Sequence, residues 1–315
     1  MNAPRTRVQR RPVHGVLLLD KPLGLSSNNA LQRCKWLLRA EKAGHTGTLD
    51  PLATGVLPLC FGAATKFSQL QLEADKTYEA TVRLGVKTTT GDAEGEVIAE
   101  REVPEITADR LADVARQFTG PLRQVPPMYS ALKKDGKALY EYARAGEEVE
   151  REARDVIVHE LELSAQSGTN DTLLMTAKVS KGTYIRTLGE DIGEALGCGA
   201  HLTSLRRVAT GHYDVSQCIT LDALETMSEE ERRANLKPVD SLLPDHTRVT
   251  LDADNAGRFL SGLRRRGQWQ DNEFVAVFGN EPKALLGTAH VKGGELIPGR
   301  LLSPPEVQQI LESNL

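Results

Sequence analysis

A single carboxylate, Asp50, stands in a loop rich in glycine and threonine. The loop opens the segment GHTGTLDPLATGVLPLCFGAATK (residues 44–66), and a proline follows Asp50 directly. Asp before Pro often opens a turn, so turn formation alone could explain this residue. However, Gly44, Gly47 and Gly55 allow a ligand to approach the backbone closely, and loops held by a rigid scaffold often carry function. Asp50 is therefore a candidate catalytic carboxylate.

Several other reaction classes leave recognisable motifs that this sequence lacks. It has no G-x-x-x-x-G-K-[ST] phosphate loop, no G-x-G-x-x-G turn that opens a helix and no G-x-S-x-G elbow. Its four cysteines lie far apart without a C-x-x-C pair, and no histidine cluster completes a zinc site. A nucleotide-triphosphate enzyme, a Ser/His/Asp hydrolase and a zinc enzyme are therefore not expected.

The composition predicts a soluble globular protein of two domains, or of one large domain with an appendage. The chain has 315 residues, of which 40% are hydrophobic and 26% are charged. It has no run of about 18 apolar residues, and its basic N-terminus lacks the apolar region of a secretory signal. Because dispersed cysteines also suit free thiols in a reducing compartment, we expect a cytoplasmic protein without a membrane span.

The charge pattern points in two directions. The net charge of −4 argues mildly against a protein that binds nucleic acid mainly through nonspecific charge. Basic clusters at Arg5–Arg11, Arg206–Arg207 and Arg264–Arg266 argue the other way. Composition alone favours scattered, solvated charge, so nucleic-acid binding stays open at this point.

Hydrophobic periodicity predicts the strands that position the Asp50 loop. A short buried strand is expected over 16–19, and a core strand over the apolar run 55–62 that follows the loop. The segment 77–84 alternates between apolar and polar residues, with Tyr78 on its apolar face. Such alternation is typical of a half-buried strand.

Two helices are predicted beside these strands. One runs over about 28–39, with Ser26 or Ser27 as its N-cap. The other follows Thr183, a possible N-cap that would place Arg186 in the first turn. Its apolar stripe has helical spacing and consists of Ile185, Leu188, Ile192 and Leu196.

The remaining segments are expected to lie outside the central core. A helix is predicted over 107–118, and residues 120–154 are predicted to be an insertion of loop and short helix. One further helix, capped by Thr220, is expected, followed by a linker at 241–249. The last 70 or so residues combine short strands with Gly-rich turns, a pattern typical of a small β-barrel.

Five segments resemble, in the same order, the successive motifs of the bacterial TruB-type tRNA pseudouridine synthase family. They lie between residues 14 and 215, about two-thirds of the chain, and read KPLGLSS, GHTGTLDPLATGVLPLCFGAATK, KTYEATVRLG, PPMYSALKKDG, and SKGTYIRTLGEDIG followed by GAHLTSLRR. The resemblance implies an α+β pseudouridine-synthase fold with a mixed, largely antiparallel sheet, plus a small C-terminal β-barrel similar to a PUA domain.

The resemblance also implies a domain organisation. Residues 1–12 would be a flexible basic tail, 13–245 the catalytic domain and 246–315 the PUA-like domain. The segment 120–154 would be an RNA-binding insertion in the catalytic domain. Together, these units would serve one stand-alone enzyme, expected to be a monomer.

The resemblance assigns the reacting groups and the residues that handle the extruded base. Asp50 matches the family's essential aspartate, and Arg186 matches an arginine that pairs with it. Tyr78 matches a tyrosine that stacks on the target base. His45 matches a residue that fills the gap left when the base leaves its stack.

Three further positions match the walls of the family's pocket. Tyr184 and Leu205 correspond to residues that line the base. Lys21, with Pro22, matches a structural motif beside the pocket. By themselves, Leu205 and Tyr78 would be read as ordinary core residues, and Arg186 as an exposed helix arginine.

The implied reaction is isomerisation of uridine 55 in the T-loop of tRNA to pseudouridine. Uracil leaves the ribose as a fairly stable anion, so one carboxylate suffices and no cofactor or metal is expected. Whether Asp50 first attacks the ribose, stabilises its charge or removes a sugar proton stays open. We expect contacts with tRNA from Lys133, Lys134, Lys137, Arg144, Arg206 and Arg207, with the T-arm held by the insertion and the C-terminal barrel extending the contact along the tRNA. The alternative is a tRNA-binding or tRNA-folding module without catalysis.

Overall fold

The computed structural model describes residues 9–281 and 283–313, so residues 1–8 of the expected basic tail lie outside the described residues. Residues 9–220 carry fourteen strands. They are β1 (Gly15–Lys21), β2 (Ala43–His45), β3 (Ala53–Phe61), β4 (Lys76–Leu84), β5 (Val86–Thr88), β6 (Val97–Glu100), β7 (Gly120–Gln124), β8 (Lys133–Lys134), β9 (Lys137–Ala138), β10 (Arg154–Ala165), β11 (Thr172–Val179), β12 (Ala200–Thr210), β13 (Tyr213–Asp214) and β14 (Ile219–Thr220).

Nine α-helices accompany the strands within the described part of the chain. They are α1 (Ser27–Leu37), α2 (Ser68–Glu73), α3 (Ala108–Gln117), α4 (Leu139–Arg144), α5 (Ile185–Leu196), α6 (Leu221–Thr226), α7 (Glu229–Ala234), α8 (Ala253–Leu260) and α9 (Pro304–Ser313). None of the helices in residues 9–281 and 283–313 is long and apolar enough to cross a membrane.

A ten-stranded sheet forms the centre of the fold. Its main path runs β14-β1-β3-β12-β4-β11-β10-β7, with β2 attached to β3 and β13 to β12. The pairs β1–β14 and β3–β12 are parallel, and the other pairs are antiparallel. This confirms the expected mixed, largely antiparallel sheet.

At β1 and β3, each face of this sheet packs against its own core. In β1, Leu17 and Leu19 point into one core, with α1, α3 and α5, while Val16 and Leu18 point into the other. The alternation follows from the two-residue repeat of a strand. Because both faces are covered, β3 reads as one nearly continuous apolar run.

The second core joins the two parts of the chain. It continues from β1 and β3 into a five-stranded C-terminal sheet with the order β15-β17-β18-β19-β16. Its strands are β15 (Thr247–Leu251), β16 (Arg265–Arg266), β17 (Asn272–Gly279), β18 (Leu285–Lys292) and β19 (Glu295–Leu301). An ion pair of 2.5 Å between Lys66 Nζ and Glu306 Oε2 also links α9 to the segment after β3.

Two predicted helices differ from the structure. Thr183 does not cap α5; its hydroxyl donates to the Ser180 carbonyl, 2.9 Å away, because the turn before the helix captures it. The helix predicted after Thr220 is two helices, α6 and α7. Ser228 and Glu231 form a capping box that begins the second helix.

Two predicted boundaries also differ. Residues 120–124 of the expected insertion form β7, which pairs with β10 at the edge of the main sheet. Only 125–153 leave the sheet, as the hairpin β8–β9 and helix α4. The expected linker is packed into the second core through Leu242 and Leu243, since its apolar residues face the back of β1.

Candidate active site

The Asp50 loop is clamped to the start of α1. The Ser27 hydroxyl donates to the Leu49 carbonyl at 2.9 Å and accepts from the Leu49 amide at 2.7 Å. The amide of Ala53 then donates to the Asp50 carbonyl at 3.1 Å, which closes the turn. Because Ser27 is buried, this reciprocal pair fixes the backbone immediately before the carboxylate.

Arg207 also holds the Asp50 loop, through hydrogen bonds to two backbone carbonyls. Its Nε donates to the Val56 carbonyl at 2.7 Å and its Nη2 to the Gly47 carbonyl at 3.3 Å. Gly47 and Gly55 both have φ near +102°, and a Cβ on Gly55 would lie 2.1 Å from the Arg207 carbonyl oxygen. The close approach at Gly55 is therefore to the protein's own backbone, whereas a Cβ on Gly47 would lie 3.5 Å from the Arg207 side chain and one on Gly44 would meet open space.

Arg186 pairs with Asp50 in the structure. Its Nε lies 3.0 Å from Asp50 Oδ2, while Nη1 and Nη2 each donate at 2.7 Å to the carbonyls of Thr90 and Tyr129. The arginine is 4% exposed, whereas the Asp50 side chain retains 36% of its accessible surface at the mouth of a cavity. Three elements therefore fix the guanidinium, and the fixed guanidinium orients the carboxylate.

A second buried acid, Asp92, faces the same arginine and was missed by the sequence analysis. Its Oδ2 lies 3.7 Å from Arg186 Nε, and its Oδ1 accepts from the Thr90 hydroxyl at 2.6 Å and the Glu94 amide at 3.0 Å. The only sequence signal was an Asp after Gly in the segment TTTGDAEG, which resembles the Asp50 loop in composition. Two carboxylates thus share one guanidinium.

Burial raises the pKa of Asp50 above its usual range. The charge of Asp92 raises this pKa further, while the Arg186 guanidinium and the charge of Lys21 lower it. Since burial is the largest of these effects, Asp50 takes up a proton at a higher pH than an ordinary aspartate. Among the described residues, no group of three or more His, Cys, Asp or Glu side chains could hold a metal ion.

Five of the seven predicted site residues line one cavity of about 410 Å³. They are Asp50, Tyr78, Tyr184, Arg186 and Leu205. Tyr78 and Leu205 are buried, so the tyrosine ring is a wall of the cavity and a member of the first core at the same time. The cavity therefore combines one ion pair with mostly apolar and aromatic walls, as small-molecule sites do.

His45 lines an adjoining cavity of about 490 Å³. Asp50 and Arg186 line this cavity too, so they stand between the two spaces. Burial lowers the pKa of His45, and the nearby charge of Arg207 lowers it further. The imidazole is therefore held in its neutral form, which suits a ring that stacks among bases.

Lys21 lines neither of these two cavities. It is fully buried, and its Nζ donates to the carbonyls of Pro22 at 2.9 Å and Leu25 at 2.5 Å. Burial lowers its pKa to about 8, although the charge of Asp50 acts in the opposite direction. Lys21 thus stabilises the turn after β1, and its positive charge acts on Asp50 without lining the cavity.

Arg206 and Arg207 do not form the surface pair that the sequence suggested. Strand β12 turns consecutive side chains to opposite faces, so Arg207 is buried and cannot be a surface phosphate contact. Arg206 reaches Asp20, with Nη2 2.8 Å from Oδ2.

In the insertion, Arg144 lines the second cavity and lies over the Tyr140 ring, 5.4 Å from its centroid.

Comparison with known proteins places these features in a family. Residues 35–185 match the model of the TruB family pseudouridylate synthase N-terminal domain, and residues 186–244 match that of the tRNA pseudouridylate synthase B C-terminal domain. The tRNA pseudouridine synthase B of Verminephrobacter eiseniae is 65% identical over 99% of this chain and 95% of its own length. That of Cupriavidus pinatubonensis is 59% identical over 94% and 96%.

Solved structures share the fold at lower identity. A Cbf5–Nop10–Gar1 complex contains a chain with a TM-score of 0.65 and 25% identity, over 99% of this chain and 87% of that one. An H/ACA RNP bound to a substrate RNA containing 2′-deoxyuridine contains another, with a TM-score of 0.67 and 24% identity over 92% and 86%. The expected α+β pseudouridine-synthase fold is confirmed, and the chain belongs to the TruB family of pseudouridylate synthases.

Proposed function

We propose that the protein isomerises uridine in tRNA to pseudouridine, at position 55 of the T-loop, with Asp50 as the catalytic carboxylate. The observation that carries this proposal is the 3.0 Å pair between Asp50 and the buried Arg186 at the wall of a cavity that also presents Tyr78. The names of the close relatives support tRNA as the substrate.

The target base must leave its stack before it can reach this cavity. Flipping costs a few kcal/mol, and stacking on an aromatic ring returns about 1–3 kcal/mol of it. Tyr78 supplies that ring, while Tyr184 and Leu205 enclose the base. His45, neutral and beside the second cavity, fills the space that the base vacates.

Asp50 then acts at the ribose carbon C1′. The C1′–N1 bond breaks and leaves its electron pair on the base, while the carboxylate bonds to C1′, compensates the positive charge on the sugar or removes a sugar proton. When C5 bonds to C1′, a bound carboxylate is displaced, or the abstracted proton returns to the sugar. The base turns, C5 bonds to C1′, C5 loses its proton and N1 gains one. Arg186 keeps the carboxylate in position throughout, and Asp92 helps to hold Arg186.

RNA binding is assigned to two surfaces. The insertion, with Lys133, Lys137 and Arg144, would contact the T-arm, since exposed cations and aromatic rings suit phosphates and bases. The C-terminal domain would extend this contact through Arg264 and Arg266, whose side chains are largely exposed. We also propose that the protein acts as a monomer on tRNA in the cytoplasm.

Deletion of the C-terminal domain would not test its role cleanly, because the second core continues into β1 and β3. Replacing Arg264 and Arg266 by glutamate leaves that core intact. A loss of tRNA affinity that shrinks with added salt is expected. Unchanged affinity would remove the C-terminal surface from the proposal.

The function itself is tested with an unmodified tRNA transcript. The wild type is expected to convert the T-loop uridine to pseudouridine, as mapped by chemical probing, and Asp50→Asn is expected to leave it unconverted. Activity that survives the substitution would exclude Asp50 as the catalytic group. Tight tRNA binding without any conversion by the wild type would instead favour a binding or folding module.

A further inference from the structure

Two cations sit side by side behind the base cavity. Lys76 lies two residues before Tyr78 on β4, and Arg207 lies two residues after Leu205 on β12. Tyr78 and Arg207 are direct partners across the two strands. Residues two apart on a strand lie on the same face, about 7 Å from each other. Each cation is therefore the next residue along the same face from Tyr78 or Leu205. Both also line the same cavity.

Neither cation forms an ion pair with a carboxylate of the described residues, although Asp75 and Glu73 lie near enough to act on Lys76 through their charge. Lys76 is 7% exposed and Arg207 is 1% exposed. Across residues 9–281 and 283–313, their hydrogen bonds go to backbone carbonyls, and neither has a carboxylate within ion-pair distance. Arg186, by contrast, faces two acids. Burying a charge without a counter-charge costs free energy. The presence of Lys76 and Arg207 at buried positions therefore calls for a functional explanation.

The reaction supplies the missing negative charge. When the C1′–N1 bond breaks, its electron pair stays on the base, and the charge spreads from N1 over the two carbonyl oxygens of uracil. The base is then an anion inside the cavity until C5 bonds to C1′, C5 releases its proton and N1 takes one up. We propose that Lys76 and Arg207 stabilise this uracil anion, an inference that rests on the proposed function.

The geometry indicates that Lys76 acts through its charge and not through a direct hydrogen bond. Its ammonium group donates to the carbonyls of Gln71 at 3.2 Å, Leu72 at 2.8 Å and Ala74. Those bonds use its three protons and fix the charge at the end of α2. Burial and, after it, the charge of Arg207 lower the pKa of Lys76 to about 8, while the charges of Asp75 and Glu73 act in the opposite direction. Since this pKa lies above 7, most of the lysine is protonated at neutral pH. Such a fixed charge needs no reorganisation during the reaction.

The test compares two leaving groups. One tRNA carries uridine at the target position and the other carries 5-fluorouridine, whose fluorine makes the base a better leaving group. A single-turnover assay follows breakage of the C1′–N1 bond, because fluorine on C5 blocks the later loss of a proton. Lys76→Gln keeps an N–H donor but removes the charge, while Lys76→Arg keeps the charge.

Lys76→Gln is expected to slow bond breakage on the order of 100-fold with uridine but only about 10-fold with 5-fluorouridine. Lys76→Arg is expected to stay within about threefold of the wild type on both substrates. Leu72→Ala is the matched control, since it alters the same wall without removing a charge. It is expected to slow both substrates by the same factor.

An equal loss on both substrates for Lys76→Gln, in a variant that melts like the wild type, would overturn the inference. If that variant does not fold, Arg207→Gln answers the same question through the ratio of its losses on the two substrates. Its lost bonds to Val56 and Gly47 should slow both substrates equally, and the lost charge should slow uridine more. These failures differ from a failure of the proposed function, in which the wild type would make no pseudouridine at all.

Discussion

The Asp50 loop and the insertion at 125–153 both face the cavities, but they are held in opposite ways. The loop is fixed by buried groups from three elements, namely Ser27, Arg186 and Arg207. The insertion holds its charges near the surface, as in Lys137, whose Nζ lies 4.1 Å from the Tyr142 ring centroid. Under the proposed function, buried hydrogen bonds and ion pairs would hold the catalytic geometry, while surface charges of the insertion would contact RNA. Substitutions in the loop region should therefore change the rate, and substitutions in the insertion should change the affinity.

Arg186→Lys gives the largest expected effect among changes around the loop. An ammonium group cannot pair with Asp50 and bond the carbonyls of Thr90 and Tyr129 in the same fork geometry. The kcat should fall on the order of 1000-fold, with the Kd for tRNA within about threefold. The measurement is single-turnover pseudouridine formation beside a binding titration.

Arg83→Lys is the matched control for that substitution, because Arg83 pairs with Asp171 at 2.8 Å outside both cavities. Its rate should equal that of the wild type. A large loss of tRNA affinity in Arg186→Lys, with kcat unchanged, would break the comparison between the two regions.

Asp92→Asn should slow the reaction less and also shift its pH dependence. We expect a fall in kcat on the order of 10–100-fold, because Arg186 loses one of its two acids. Asp92 raises the pKa of Asp50, so its neutralisation lowers that pKa. Activity requires the carboxylate and is lost as pH falls through this pKa, so the acidic limb of the kcat/KM profile should move to lower pH.

The pH profile of the wild type supplies the reference for that shift. Its acidic limb should lie above the ordinary range of aspartate, since burial raises the pKa of Asp50. A limb that moves to higher pH in Asp92→Asn would contradict the assigned role of Asp92.

The insertion should show the smallest effect, and it should appear in binding alone. Lys133→Ala combined with Lys137→Ala is expected to raise the Kd for tRNA about 10-fold and to lessen its salt dependence, because phosphate contacts are lost. The kcat at saturating tRNA should be unchanged. Lys178→Ala serves as the control, since this exposed lysine on β11 lies 3.5 Å from Glu160. A reduced kcat at saturating tRNA would show that the insertion also affects catalysis, which would contradict this prediction.

Local pattern predicted much of the fold around the site. The alternation of β4 and the stripe of α5 each depend on side chains close together in sequence, and both elements are present. The capping box at Ser228 was also legible, as Ser followed by Glu three residues later, but the longer helix was preferred. The site roles carried over from the family remain predictions, although five of those residues line one cavity.

Long-range contacts explain what the sequence could not predict. Asp92 becomes part of the site only because the turn between β5 and β6 folds against Arg186, a residue 94 positions away in sequence. Arg206 and Arg207 look alike in the sequence, yet strand register leaves the first half-buried in an ion pair with Asp20 and buries the second fully. Neither outcome leaves a local signature, because both depend on which elements become neighbours.

The central claim is that Asp50 performs the chemistry while other groups bind the RNA. The most direct measurement follows pseudouridine formation and tRNA binding in parallel for the wild type and Asp50→Asn. We predict conversion of the T-loop uridine by the wild type, a loss on the order of 10⁴-fold or more in the variant, and a Kd within about threefold. Conversion by Asp50→Asn at a rate near that of the wild type would contradict the account.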